Sequence, residues 1–312
     1  MTPSCLTALE LFCGIGGFAA AVAGTNVRVT AALDQNAVAL DVYRLNFPGH
    51  DARQINLEKI TADELAGFDA DLWWLSPPCQ PYSVRGRQQD LADPRAQSLT
   101  RILAVFPDIP REKLPRYLAL ENVNGFARSQ ACERLMELLK TRQFEIRERL
   151  LCPTELGIPS RRPRYYLVAS RFGMHPHRPV AARHRPLSTY LDTTLTGASP
   201  AELLVSPEVV YRFGEGFRIL DPADAAAYTT CFTAGYGKSL MHAGSYLHTD
   251  SGVRRFAPHE IARLLDLPAN FRFPETMSMR KRWQLLGNSL SVVAAREVFS
   301  ELPGVGFHCQ SS

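Results

Sequence analysis

The sequence predicts an α/β fold: a doubly wound, mostly parallel sheet followed by a small loop-rich domain. Two observations carry this. Short apolar runs alternate with stretches of helical period through the first half of the chain. Three of those runs end in residues that bear chemistry: a glycine cluster, a cysteine after two prolines, and a Glu-Asn pair. In open α/β sheets, functional groups gather at the carboxyl ends of strands.

The elements follow in order. Ala8 to Phe12 reads as a strand that runs into CGIGGF and a small-residue helix, FAAAVAG. Val27 to Leu33 is a second strand, ending at Asp34. Asn36 to Phe47 has helical spacing of Val38, Val42, Tyr43 and Leu45, with Pro48 as a stop. Asp71 to Leu75 is a strand, Gln97 to Phe106 a helix, and Arg116 to Leu120 a strand entering Glu121-Asn122-Val123. Glu133 to Lys140 is helical, and RYYLVA, residues 164–169, is a buried strand. After Arg171, prolines, histidines and arginines mix with weak periodicity. Helical pattern returns in HEIARLLDL and from Asn288 to Phe299. The expected division is a catalytic, cofactor-binding domain of residues 1–174 plus 275–312, with a target-recognition domain of residues 175–274 between them.

Composition narrows the class. The chain has 312 residues, of which 46% are hydrophobic, enough for a full core. Its formal charge of +4 permits a polyanionic partner without demanding one. No apolar run approaches a membrane span, and MTPSCLTALELF lacks a signal-peptide pattern. The seven cysteines form no CxxC pair, so a disulfide framework is not expected, and a reducing, cytoplasmic setting is. His175, His177 and His184 lack cysteine or carboxylate partners at ligand spacing, so no metal is expected.

Each motif has a functional and a plain reading. In LELFCGIGGF the glycines allow close approach of a ligand to the backbone, or they form an ordinary strand-to-helix turn. The full dinucleotide fingerprint is absent, which counts against a nucleotide-dependent oxidoreductase. Asp34 can accept from ribose hydroxyls, or it caps the following helix. In SPPCQPYS, Pro77 and Pro78 end the strand and hold Cys79 on a stiff loop. A lone cysteine is more often buried and inert, but the polar, basic residues Gln80, Ser83, Arg85, Gly86 and Arg87 favour a nucleophile. Glu121 is a carboxylic acid in the same mouth, or a solvated strand-end acid. Arg162 and Arg164 share a face at strand spacing and suit an anion. Arginines crowd residues 142–185, which suits a phosphate backbone.

Taken in order, ELFCGIGGF, SPPCQPYS, ENVNGF, SRRPRYYLVA and LLGNSLSV resemble the motifs of the cytosine-5 methyltransferase family. SPPCQPYSVRGRQQDLADPR, LGIPSRRPRYYL and CFTAGYGKSLMHAGS resemble its tRNA-methylating branch. The short stretch between SRRPR and LLGNS also departs from the longer target-reading region usual in the DNA enzymes. Two positions depart from the family pattern: Asn56 stands where an acid often meets the adenine amino group, and Ser160 stands where the first arginine motif often begins with Gln.

The resemblance implies an S-adenosylmethionine-dependent methyltransferase fold and a monomeric enzyme acting on carbon 5 of a cytosine, at position 38 of a tRNA anticodon loop. The aspartate tRNA is the branch's usual substrate, the short recognition region also suits another tRNA with a cytosine at the same loop position, and a DNA cytosine-5 methyltransferase is the alternative. Cys79 would add to carbon 6, Glu121 would serve ring nitrogen 3, and Arg162 and Arg164 would hold the base's carbonyl oxygen, the adjacent phosphate or the surroundings of Cys79. Phe12, Gly14, Ile15, Gly17, Asp34, Asn56, Asn288 and Ser289 would line the S-adenosyl-L-methionine site. The target base must leave its stack or lie in a loop to be reached.

Overall fold

The computed structural model describes residues 5–83, 89–176, 182–197 and 201–306. Arg85, Gly86, Arg87, His177 and Arg178 lie outside the described residues. The chain forms two compact units. The first comprises Met1–Leu151, Pro163–Pro179 and Ala295–Ser312; the second comprises Cys152–Arg162 and Val180–Ala294.

The first unit is built on a seven-stranded sheet of order β3-β2-β1-β4-β5-β7-β6. The strands are β1 (Leu6–Leu11), β2 (Val27–Asp34), β3 (Ala52–Gln54), β4 (Leu72–Leu75), β5 (Tyr117–Asn122), β6 (Glu145–Leu151) and β7 (Arg164–Ser170). β1 to β5 run parallel; β7 is antiparallel to β5, and β6 to β7. The sheet is therefore doubly wound and mostly parallel. Helices α1 (Gly17–Val22), α2 (Ala37–Asn46), α3 (Ala62–Gly67), α4 (Gln97–Val105) and α5 (Gln130–Thr141) make the crossovers. Parallel neighbours need such connections.

Local chemistry sets these elements. Asn36 caps α2 by accepting the Ala39 N–H at 3.3 Å. Thr61 and Glu64 form a reciprocal capping box on α3. Leu72–Leu75 is buried along its whole length, as a central parallel strand must be. Trp74 stacks on Phe18 at 5.2 Å and meets Phe299 edge-on, which fixes α1 on the sheet. Truncating a tryptophan so buried costs about 3–5 kcal/mol. The sequence reading passed over β6, whose EIRERLL carries four charged residues in seven and no strand alternation, on a partly exposed edge.

The second unit carries α6 (Thr194–Gly197), α7 (Pro207–Phe213), β8 (Arg218–Leu220), β9 (Ser245–Thr249), β10 (Gly252–Arg255), α8 (Pro258–Leu264) and α9 (Met279–Gly287); α10 (Val292–Phe299) begins at its end. The three strands form one sheet of order β10-β9-β8. Val205, Phe217, Tyr246 and Val253 make a small apolar cluster. Arg254 and Glu260 are wholly buried and form a two-bond fork at 2.8 Å each.

The units differ from the sequence division at three places. Residues 152–162 and 275–294 lie with the second unit rather than the first, and the described residues His175 and Pro176 with the first rather than the second. Hydrogen bonds explain the first two. Thr229 exchanges backbone bonds with Pro159 and Arg161, and Trp283 Nε1 donates to the Phe256 carbonyl at 2.9 Å. Gly287 lies so close to the Thr233–Ala234 backbone that a Cβ would sit 2.2 Å from the Thr233 carbonyl carbon.

Candidate active site

The ends of the parallel strands supply the site. At the end of β1, Phe12 adopts φ 60° and Gly14 φ 53° before α1 starts. A left-handed phenylalanine is strained, and such strain clusters where a ligand is clamped. Gly16, at φ 90°, presses on α2: a Cβ there would stand 2.3 Å from the Phe47 ring. Gly14 by contrast has nothing within 4 Å of its Cβ position, so the loop is open on that side. Ile15 and Gly17 are buried behind it.

Two acids hold this loop. Asp34, at the end of β2, accepts the Gly14 N–H and the Asn36 N–H at 2.8 Å each. Burial raises its carboxyl group, and those N–H bonds oppose the rise. Asp34 thus ties two loops together, and Asn36, not Asp34, caps α2. Glu10, on β1, is fully buried. Burial pushes its carboxyl up to about 8, against the pull of the Tyr43 hydroxyl and the Phe18 and Ala19 N–H groups. The Tyr43 hydroxyl donates to Glu10 at 3.0 Å and meets His50 Nδ1 at 3.0 Å. Sequence reasoning missed Glu10 because a mid-strand glutamate gives no sign of facing a helix start.

At the end of β4, the Pro-Pro pair leads into a single turn, Gln80–Tyr82, with Cys79 as its N-terminal residue. Cys79 is partly exposed. At the end of β5, Glu121 pairs with Arg164 of β7, Nε to Oε1 at 3.2 Å. The two ends are stitched together. Asn122 Nδ2 donates to the Pro77 carbonyl at 3.1 Å. Gly125 lies against the Tyr82 carbonyl, where a Cβ would come within 2.1 Å of the oxygen, and Tyr82 packs edge-on against Phe126 at 4.8 Å. The sequence held Asn122 and Gly125 in plain view beside Glu121, but the cross-loop bonds that give them a purpose are tertiary.

Asn56 follows β3, where the Ile55 N–H donates to the Asp34 carbonyl. Its Oδ1 accepts the Glu58 N–H at 3.0 Å and caps the turn Leu57–Lys59. The amide oxygen expected to meet adenine is therefore half occupied, which leaves one lone pair and the NH₂ donors.

Arg162, Asn288 and Ser289 belong to the second unit. Arg162 is 4% exposed. Its Nη1 donates to the Phe232 carbonyl at 3.1 Å and to Cys231 Sγ at 3.2 Å; its Nη2 donates to the carbonyls of Gly287 and Ser289. The guanidinium, expected to hold the base's carbonyl oxygen, the adjacent phosphate or the surroundings of Cys79, joins Cys-Phe-Thr to Gly-Asn-Ser through these bonds. Asn288 ends α9 and is exposed, while Ser289 Oγ is buried without a hydrogen-bond partner.

The strand order, the open glycine loop and the acid at the end of the second strand define the class: an S-adenosylmethionine-dependent methyltransferase fold. The model of the C-5 cytosine-specific DNA methylase family matches residues 6–202, and the chain belongs to that family. It is 30% identical to the tRNA (cytosine(38)-C(5))-methyltransferase of Schizosaccharomyces pombe, over 95% of this chain and 96% of that protein. It is 29% identical to the human protein of the same name, over 92% and 96%. The crystal structure of the S. pombe Dnmt2 methyltransferase superposes with a TM-score of 0.84, covering 95% of this chain and 97% of that one at 29% identity. The chain is thus an enzyme of the cytosine-5 methyltransferase family.

Proposed function

We propose that this enzyme methylates carbon 5 of cytosine 38 in a tRNA anticodon loop, through a covalent adduct on Cys79. One observation supports the chemistry above the others: the Cys79 turn and the Glu121 strand end are joined by the Asn122–Pro77 bond and the Gly125–Tyr82 contact. The tRNA acceptor is inferred from near full-length similarity to enzymes named for that reaction.

Carbon 5 of cytosine is a poor nucleophile. Cys79 Sγ, as thiolate, adds to carbon 6; the carbon 5–carbon 6 π pair shifts to carbons 4 and 5, and the carbon 4–nitrogen 3 π pair moves onto ring nitrogen 3. Glu121, held by Arg164, hydrogen-bonds or protonates that nitrogen, so charge does not accumulate on the ring. Carbon 5 of the enamine is then nucleophilic. S-adenosyl-L-methionine, when bound, supplies the methyl group in electrophilic, sulfonium-activated form. Loss of the carbon 5 proton and departure of Cys79 restore the aromatic ring.

The residues fit that cofactor. Phe12, Gly14, Ile15 and Gly17 form a loop open at Gly14, and Asp34 keeps lone pairs beyond its two N–H bonds for ribose hydroxyls. Asn56, Asn288 and Ser289 complete the proposed set. Arg162 acts on the second unit's loops, and Arg164 orients Glu121. We further infer a monomeric, cytoplasmic enzyme whose substrate is the aspartate tRNA or another tRNA with a cytosine at the same loop position; the described cysteines are all free thiols, which suits a reducing compartment.

The test is methylation of total tRNA and of duplex DNA, with base-resolution mapping of the product. The expected result is 5-methylcytosine at position 38 of tRNA. Methylation of duplex DNA alone would favour the family's DNA-acting reading and overturn the RNA assignment.

A further inference from the structure

The segment between Cys79 and α4 contains an arrangement that the chemistry above leaves unused. Asp90, at φ 50°, accepts the Gln130 N–H at 2.6 Å and the Ala131 N–H at 3.4 Å, which pins this segment to the start of α5. Three residues on, Asp93 is 2% exposed. It accepts the Arg95 main-chain N–H at 2.9 Å, Nε at 2.9 Å and Nη2 at 2.6 Å. The Arg95 side chain is itself half exposed. Exposed ion pairs add little to stability. Burying a carboxylate to fork a half-exposed arginine instead fixes where that arginine points.

The turn that carries Arg95, Pro94–Ala96, lies beside Gln80–Tyr82, the one that Cys79 begins. Asp93 raises the proton affinity of Arg95 most, and the Cys79 sulfur adds to the rise. Among the described residues, three acids near this turn have partners of their own. Asp90 faces the α5 N–H groups, Asp93 is forked by Arg95, and Glu121 is paired with Arg164. Tyr82 stays protonated, raised by burial and then by Asp90 and Asp93.

We propose that Arg95, aimed by Asp93, is a positioning residue for methyl transfer: its fixed guanidinium holds Cys79 as the reactive thiolate before the acceptor arrives. This rests on Cys79 being the nucleophile, but not on the identity of the acceptor.

The experiment follows alkylation of Cys79 by iodoacetamide as a function of pH, without RNA, by mass spectrometry of the Cys79 peptide. The kcat and KM of methyl transfer are measured alongside. Arg95→Gln should raise the alkylation midpoint by about one pH unit, slow the reaction about tenfold near neutral pH, and lower kcat. Arg95→Lys should recover part of the loss, because charge returns without the fork. Asp93→Asn, which keeps the arginine but loosens it, should fall between. An unchanged midpoint in Arg95→Gln, with only KM raised, would make Arg95 a phosphate contact and overturn the proposal. Full turnover in Cys79→Ala would instead overturn the nucleophile reading itself.

Discussion

Cys13 and Cys79 stand at the same edge of the same sheet, one following β1 and the other following its hydrogen-bonded neighbour β4. Their surroundings are opposite. Cys13 is 4% exposed; burial pushes its thiol well up, and the negative charges of Glu10 and Asp34 push it further. Cys79 is partly exposed and begins a turn set by two prolines, beside the turn that carries Arg95. Position at a strand end therefore does not make a cysteine reactive. Exposure and the sign of the neighbouring charge do. Cys13 is followed by a glycine turn with φ 53° at Gly14 and 90° at Gly16, whereas Cys79 follows the φ-restricted Pro77 and Pro78.

Replacing each cysteine in turn gives the largest contrast. Cys79→Ala should abolish methyl transfer while leaving RNA binding in place, as a filter-binding assay would show. Cys13→Ala should keep turnover within a few-fold of the parent and cost about 1 kcal/mol of stability from the small cavity it leaves. Comparable loss of turnover in both would erase the distinction.

A smaller effect concerns the acid behind Cys13. Glu10 lies at about 8 in the folded protein, above its ordinary value of 4.5. As pH rises, the unfolded chain ionises first and the folded one lags. The stability that protonated Glu10 contributes is thus complete below about pH 4.5 and is lost as pH climbs through about 8. Its limiting slope is about 1.4 kcal/mol per pH unit. Glu10→Gln should flatten the fall of melting temperature between these limits relative to the parent. An identical slope in both proteins would mean that Glu10 is ionised in the fold.

The fold was largely legible in the sequence because buried parallel strands are apolar runs and their helices show helical spacing. Leu72–Leu75 and Ala37–Asn46 are examples. β6 was not, since its charged residues mask a strand that draws its pairing from β7. The second unit was hardest to read: Arg254 and Glu260 organise it, and two charged residues do not announce their own burial. At the candidate site, Cys79 and Glu121 could be placed at strand ends from the sequence. The carbonyl partners of Arg162 could not, because they lie on loops distant in sequence. Asp93 and Arg95 carried no signal apart from their spacing, because a buried acid is recognised only by what covers it.

The most direct test of Cys79 as nucleophile uses tRNA carrying 5-fluorocytosine at position 38, incubated with enzyme and S-adenosyl-L-methionine. Fluorine cannot leave carbon 5 as a proton does, so the adduct should persist as a protein–RNA band whose linked peptide contains Cys79. A stable adduct mapped to any other residue, or methyl transfer from the parent enzyme with no adduct at all, would contradict the account.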